Sequence, residues 1–199
     1  MPEQPNRRDI LLSSALAATG LGLSIETVLG QQTLPPTPSC GEGGAATEAQ
    51  TDGPFFKPRS PERADLRESG AGARTVELSG QVLTRACRPV ARALVDLWHA
   101  DEKGHYDERG NRYRGHVFAD SDGRYRFLTI MPALYPGRTR HYHVKVQAPS
   151  RPVLTTQLYF PADEAANRRD GLFRPALLMQ VTPASEPLSA RFNFVLDIG

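Results

Sequence analysis

Two histidines separated by one residue, His141 and His143, lie in the stretch LYPGRTRHYHVKV at residues 134–146. In an extended chain the side chains at i and i+2 leave the same face, roughly 6–7 Å apart along the strand. That is one way a β-protein presents two ligands to a metal. The other reading of an isolated His-x-His is a pair of side chains hydrogen-bonded at a strand edge. No glutamate occurs within HYHVKVQAP, as the cupin pattern requires. Two tyrosines widen the chemistry. Tyr135 precedes His141 across Pro136-Gly137, and Tyr106 lies in WHADEKGHYD, a glycine-containing loop after a strand-like run. A phenol, with a pKa of about 10, becomes a good ligand only beside a strongly acidic cation. A hard trivalent ion, Fe(III), suits charged oxygen donors. Taken singly, each tyrosine also fits a packing role with its hydroxyl hydrogen-bonded. Arg138 and Gln157, taken singly, read as a surface cation and a strand residue bonded to backbone.

These residues need strands to hold them. Residues 75–83 (TVELSGQVL) alternate apolar and polar side chains, as a half-buried strand does. Residues 93–100, 141–148, 153–160 and 191–198 read as further strands. In RGHVFADSDGRYRFLTI two β-prone runs flank Asp122-Gly123, which predicts a tight hairpin. Residues 163–170 read as one short helix capped by Asp163. TDGPFFKP is a turn whose Phe55 and Phe56 suit either a pocket wall or the core. Many short strands with turn signals between them and no internal repeat predict an all-β fold. We expect an antiparallel β-sandwich with long irregular loops and little helix.

The 199 residues suit one domain, and 39% hydrophobic with 23% charged residues is an ordinary globular composition. A net charge of +2 without any basic run of five or six is too small to argue for nucleic acid, so no nucleic-acid partner is expected. Residues 1–30 carry Arg7-Arg8 before a mildly apolar run from Ile10, interrupted by Glu26. That pattern predicts a twin-arginine-type export signal, the alternative being a retained amphipathic helix. An anchor needs about 20 strongly apolar residues, so no stable membrane insertion is expected after signal removal. Export would place the protein in the periplasm or outside the cell. Residues 31–50, rich in Pro, Gly, Thr and Gln, read as a flexible linker or arm. In an oxidising compartment Cys40 and Cys87 are expected to pair. The alternative, a lipidated Cys40, lacks the aliphatic residue expected three positions earlier. Neither cysteine has a CxxC partner for a thiolate metal site.

Four segments in order resemble the intradiol ring-cleavage dioxygenases of the catechol and protocatechuate type, in particular their short exported members. TDGPFF is similar to the family's Thr-Glu-Gly-Pro-aromatic stretch. RPVARALVDLWHADEKGHY is similar to its Pro-Val…Trp…Gly-x-Tyr segment, LYPGRTRHYHVKV to its Tyr-Pro…Arg-x-x-His-x-His segment, and TTQLYFP to the family's next strand-like stretch. The likeness covers roughly residues 50–161 and marks residues 51–199 as the catalytic domain. It departs at Asp52, where the family usually has Glu, and at Ala100, where exported members often have Cys. Neither is a candidate ligand, and Ala100 leaves Cys87 to pair with Cys40.

The resemblance implies non-haem Fe(III) held by Tyr106, Tyr135, His141 and His143, with Tyr135 the displaceable ligand that doubles as a base. It implies Arg138 as a charge stabiliser and Gln157 as an orienting residue. A catechol-type substrate and O2 are the implied partners, and a cis,cis-muconate-type diacid the product. Tyr142 alternates with the histidines and is expected to face away from the metal. His99, His105 and His116 are expected to be structural or solvent-facing, His105 being a candidate substrate contact beside Tyr106. Two other readings compete: a non-catalytic β-sandwich ligand-binding module, and a His-x-His copper or zinc enzyme. Longer catechol-type members carry a helical N-terminal dimerisation segment with no likeness here. The residues fix neither the oligomeric state nor which catechol is used.

Overall fold

Alternating side chains along the strands divide the chain between two sheets, each with one face turned to a shared core. The computed structural model describes residues 44–70 and 72–199. The expected signal segment, most of the linker and Cys40, one end of the expected bridge to Cys87, lie outside the described residues. In chain order the strands are β1 (Thr75–Thr84), β2 (Leu94–Trp98), β3 (Arg114–Phe118), β4 (Arg124–Ile130), β5 (His141–Gln147) and β6 (Leu154–Tyr159). A short helix α1 (Glu164–Arg169) comes next, then β7 (Gln180–Thr182), β8 (Leu188–Arg191) and β9 (Phe194–Leu196). One sheet runs β3-β2-β5-β6, every neighbour antiparallel. The other runs β4-β1-β8-β7, with β9 also on β1; there β1 pairs in parallel with β8 and β9. The chain is an all-β sandwich. Among the described residues, no helix is long and apolar enough to cross a membrane.

Period-two alternation fixes which side of β5 faces inward. Tyr142, Val144 and Val146 are fully buried between the sheets, with Val95 and Leu97 of β2, Leu158 of β6, and Val76 and Phe127 from the opposite sheet. Burying each such side chain contributes about 1.5–3 kcal/mol. As expected, Tyr142 faces away from the histidines, and its hydroxyl donates to Ile130 O at 2.8 Å. His141, His143 and Lys145 therefore occupy the outer face of this sheet. Side by side on that face, Gln157 pairs with His143, His143 with Trp98, and Trp98 with Arg114.

An outer face carrying imidazoles is buried here because an arm covers it. Thr47 exchanges hydrogen bonds with Val195, and Gln50 N donates to Thr155 O of β6 at 2.8 Å. The arm then crosses the outer face. Residues 61–63 bond to His116 of β3 and residues 64–66 to Leu128 of β4, joining the edges of the two sheets.

The structure corrects three local expectations. Asp122-Gly123 does turn tightly: Gly123 N donates to Asp120 O, and Asp120 Oδ1 takes the amides of Asp122 and Arg124. It makes no hairpin, because β3 pairs with β2 and β4 with β1, so the turn carries the chain from one sheet to the other. Turn chemistry specifies local backbone and not the partner strand. Asp163 sits at the N-cap of α1 without a side-chain cap bond; its carboxylate pairs with Arg140 instead. The single strand read at 191–198 is interrupted: β8 ends at Arg191, and the Asn193 side chain accepts the Gln81 amide before β9 resumes.

Candidate metal centre

Three donor atoms meet on the outer face. His141 Nε2 and His143 Nε2 are 3.2 Å apart, and Tyr106 Oη lies 3.2 Å from the first and 3.1 Å from the second. These edges match donors set about 2 Å from one common centre. The chemistry of the set also fits a cation. His141 Nδ1 lies 2.6 Å from Thr139 O, a bond that places the ring proton on Nδ1 and leaves the Nε2 lone pair facing its neighbours. Burial lowers the pKa of His141 to about 4 and that of His143 well below 6.5, so both rings are neutral at ordinary pH, the form in which an imidazole can donate a lone pair. Burial pushes the Tyr106 phenol up, and Arg138 and Arg114 pull it only partly back. That phenol ionises only if a strong positive charge arrives beside it. Among the described residues there is no group of three His, Cys, Asp or Glu side chains able to hold a metal, and the third donor that meets the two histidines is a phenol.

Each donor is held from behind. The ladder of β5 sets both histidines, and Trp98 stacks flat on His143 with centroids 5.0 Å apart. Gly53 of the arm closes on the ring edge: a Cβ there would lie 3.2 Å from His143 Cε1. Tyr106 depends on its loop. Asp101 Oδ1 accepts the amides of Lys103 and His105, while Asp101 O accepts Ala133 N, tying the loop to the segment that leads to Tyr135. Phe55 stacks on Tyr106 at 4.4 Å, so it is a wall of the site, whereas Phe56 packs on Trp98.

Tyr135 and Arg138 are the ends of one turn. Pro136 presets φ, Gly137 takes φ 77°, and Arg138 N donates to Tyr135 O at 2.8 Å. The Tyr135 ring meets Tyr106 edge-on at 5.9 Å and Phe55 at 5.8 Å, beside the three converging donors. Arg138 Nη2 donates to Gln157 Oε1 at 2.6 Å, and Gln157 Nε2 donates to Thr51 O at 2.8 Å. Both ends of the Gln157 amide are thus used within the protein, with Tyr159 Oη also 3.1 Å from its oxygen.

Asp170 is the residue that sequence reasoning missed. Both of its oxygens accept from Arg138 Nε, at 3.0 and 2.8 Å, and its side chain is 1% exposed. It also accepts the amides of Thr139 and Leu172. Burial raises its carboxyl, but those bonds and the guanidinium outweigh it and hold the pKa below the usual value. In sequence it is an ordinary Asp-Gly turn, and no local signal marks it.

The remaining histidines lie apart from the donor cluster. His99 is buried between Thr129 Oγ1 and Ala100 O, and His116 bonds Ser60 Oγ at 3.1 Å. His105 points outward with a side chain 77% exposed. Asp52 pairs with Lys145 at 3.2 Å, and Arg140 bonds Pro132 O and Asp163.

Comparison with known proteins gives this arrangement a lineage. The dioxygenase family model matches residues 51–197. Hydroxyquinol 1,2-dioxygenase of Nocardioides simplex is 32% identical over 155 residues, 65% of this chain and 52% of that protein. The chain spans about half the length of this relative and of the Rhodococcus opacus hydroxyquinol 1,2-dioxygenase. Among solved structures, the dioxygenase domain of a dioxygenase carbohydrate-binding protein fusion from the cellulolytic bacterium Streptomyces sp. SirexAA-E is 50% identical. It has a TM-score of 0.75, and the match covers 78% of this chain and 100% of that one. An intradiol ring-cleavage dioxygenase from Tetranychus urticae shares the fold at 20% identity, with a TM-score of 0.70 and coverage of 77% and 94%. With most of its length matched, this chain belongs to the intradiol ring-cleavage dioxygenase family.

Proposed function

We propose that the protein is a non-haem Fe(III) dioxygenase that opens a catechol ring between its two hydroxyl-bearing carbons, using O2 and giving a cis,cis-muconate-type diacid. The observation that carries this reading is the convergence of Tyr106 Oη, His141 Nε2 and His143 Nε2 within 3.2 Å, beside the Arg138–Gln157 pair. The names of the relatives support the same substrate class. Tyr106, Tyr135, His141 and His143 would hold the iron. When bound, the ferric ion supplies the Lewis acidity that ionises the phenols and the catechol and opens the ring to O2.

The chain's own groups then have distinct tasks. A catechol must lose two protons to bind as a dianion. Tyr135, on an exposed turn, would accept one of them at Oη, and hydroxide from solvent would take the other. The Arg138 guanidinium faces the site from a fixed position, where it would stabilise negative charge developing on the ring and its cleavage oxygens. Gln157, saturated by Arg138, Thr51 and Tyr159, holds that guanidinium in place. Phe55 and the covering arm limit water at the donor cluster. The reading extends to export through the Arg7-Arg8 signal with a Cys40–Cys87 bridge, supported by the sequence and tested by fractionation of an Arg7-Arg8→Lys-Lys variant.

Iron reconstitution tests the chemistry. The loaded protein should be red to burgundy from phenolate-to-iron charge transfer, and a catechol panel should show oxygen uptake with a ring-opened diacid. Tyr106→Phe should lose most of the colour and the iron. A colourless protein that retains copper or zinc equally well in Tyr106→Phe would overturn the reading in favour of a His-x-His enzyme.

A further inference from the structure

We infer that Asp170 is a positioning residue that aligns two parts of the site at once: the Arg138 guanidinium directly, and the His141 ring through Thr139. The direct arm is the pair of contacts from Arg138 Nε to both carboxylate oxygens, at 3.0 and 2.8 Å. Together with the 2.6 Å bond from Nη2 to Gln157, they fix the plane of the guanidinium at two points. The indirect arm begins where Thr139 N donates to Asp170 Oδ2 at 3.0 Å. Thr139 Oγ1 donates to Asn167 Oδ1 at 2.6 Å, so this residue is gripped by the segment that carries Asp170. The carbonyl of the same Thr139 then accepts from His141 Nδ1 at 2.6 Å, which sets the ring's tautomer and tilt. Asp170 thus stands behind a ring nitrogen facing the donor cluster, and behind the cation next to it, without touching either the phenols or the space between them. Charge-assisted bonds of this buried kind are strong and directional. Neighbours that orient ligands in this way cost about 10–100-fold in affinity or activity when changed.

The catalytic half of this inference rests on the proposed dioxygenase activity; the structural half does not, and the experiment separates them. In metal-free protein, 15N NMR of the imidazoles should show His141 as the Nδ1–H tautomer, and Asp170→Asn should move it toward a tautomer mixture. In iron-loaded protein, Asp170→Asn should keep the phenolate colour but lower kcat about 10–100-fold, with a smaller change in KM. In an Arg138→Ala background the same change should cost several-fold less than in wild type, because one of the two groups it positions is gone and only the histidine arm remains. Losses that multiply in the double variant, or an Asp170→Asn kcat within about twofold of wild type, would overturn the arginine arm. An unchanged His141 tautomer would overturn the histidine arm. If Asp170→Asn does not fold, Asp170→Glu enters the same cycle, retaining the charge at a shifted position and giving an intermediate loss. A wild-type protein without colour or ring cleavage would sink the dioxygenase reading, while the tautomer measurement would still decide the role of Asp170 toward His141.

Discussion

Gly53→Ala offers a test of how the arm positions His143, one of the proposed iron ligands. Gly53 takes φ +67°, and its added Cβ would fall 3.2 Å from His143 Cε1 and 3.7 Å from Nε2. The backbone alone costs an alanine there about 1–2 kcal/mol. At about 2–4 °C per kcal/mol for a domain of this size, the metal-free melting temperature should fall by ~2–8 °C. The contact adds a second effect. The ring is buried and lies flat on Trp98 at 5.0 Å, so it yields by sliding its Nε2 out of the 3.1–3.2 Å triangle. A shift of a few tenths of an ångström in one ligand should weaken iron binding about tenfold, equivalent to about 1.4 kcal/mol. Gly70→Ala is the control: Gly70 has φ +81° with no atom within 4 Å of its added Cβ, so it bears the backbone cost alone. Thermal melts of the metal-free proteins and iron titrations monitored by visible absorption measure both quantities. If Gly53→Ala binds iron as tightly as Gly70→Ala, the arm does not set the position of His143 and the reasoning fails.

Two further outcomes are expected from the division of the site sheet into an inner and an outer face and from its buried imidazoles. Tyr142→Phe removes the hydroxyl that donates to Ile130 O at 2.8 Å and should destabilise the fold by about 1–3 kcal/mol while leaving the iron titration unchanged. A loss of iron affinity there would mean the two faces are not independent. His99 is fully buried, and burial lowers its pKa from 6.5 to about 4. As pH falls below 6.5 the unfolded chain takes up a proton that the folded one refuses, so stability is lost progressively down to pH about 4, by up to about 3 kcal/mol. Urea midpoints at pH 7 and pH 4.5 should therefore diverge less in His99→Gln than in wild type; parallel losses in the two proteins would contradict the assignment.

Legibility in the sequence tracked how local each signal was. His141, His143 and Tyr142 were readable because strand alternation alone decides which of them share a face. The Tyr135–Arg138 turn was readable from Pro136-Gly137. Asp122-Gly123 announced a turn, yet the partners of β3 and β4 are chosen by the packing of whole sheets, which a dipeptide does not encode. Phe55 and Phe56 were indistinguishable as neighbours; the arm's path separates them, one onto Tyr106 and the other onto Trp98. Asp170 was invisible because its partner Arg138 lies 32 residues away and neither carries a mark of the other.

The roof of the site comes from the start of the domain and its floor from the middle, with a consequence for how the protein is made. Thr51 and Gln157, which bond beside His143, are 106 residues apart, and Lys145 reaches Asp52 across 93. Closing such spans must await the strands that reward the lost chain entropy. During synthesis the arm emerges first and has nothing to lie on until β5 and β6 are made. The covered donor pocket is therefore complete only after β6 has been made, and a chain cut short before β6 lacks the Gln157 and Thr155 contacts that seat the arm.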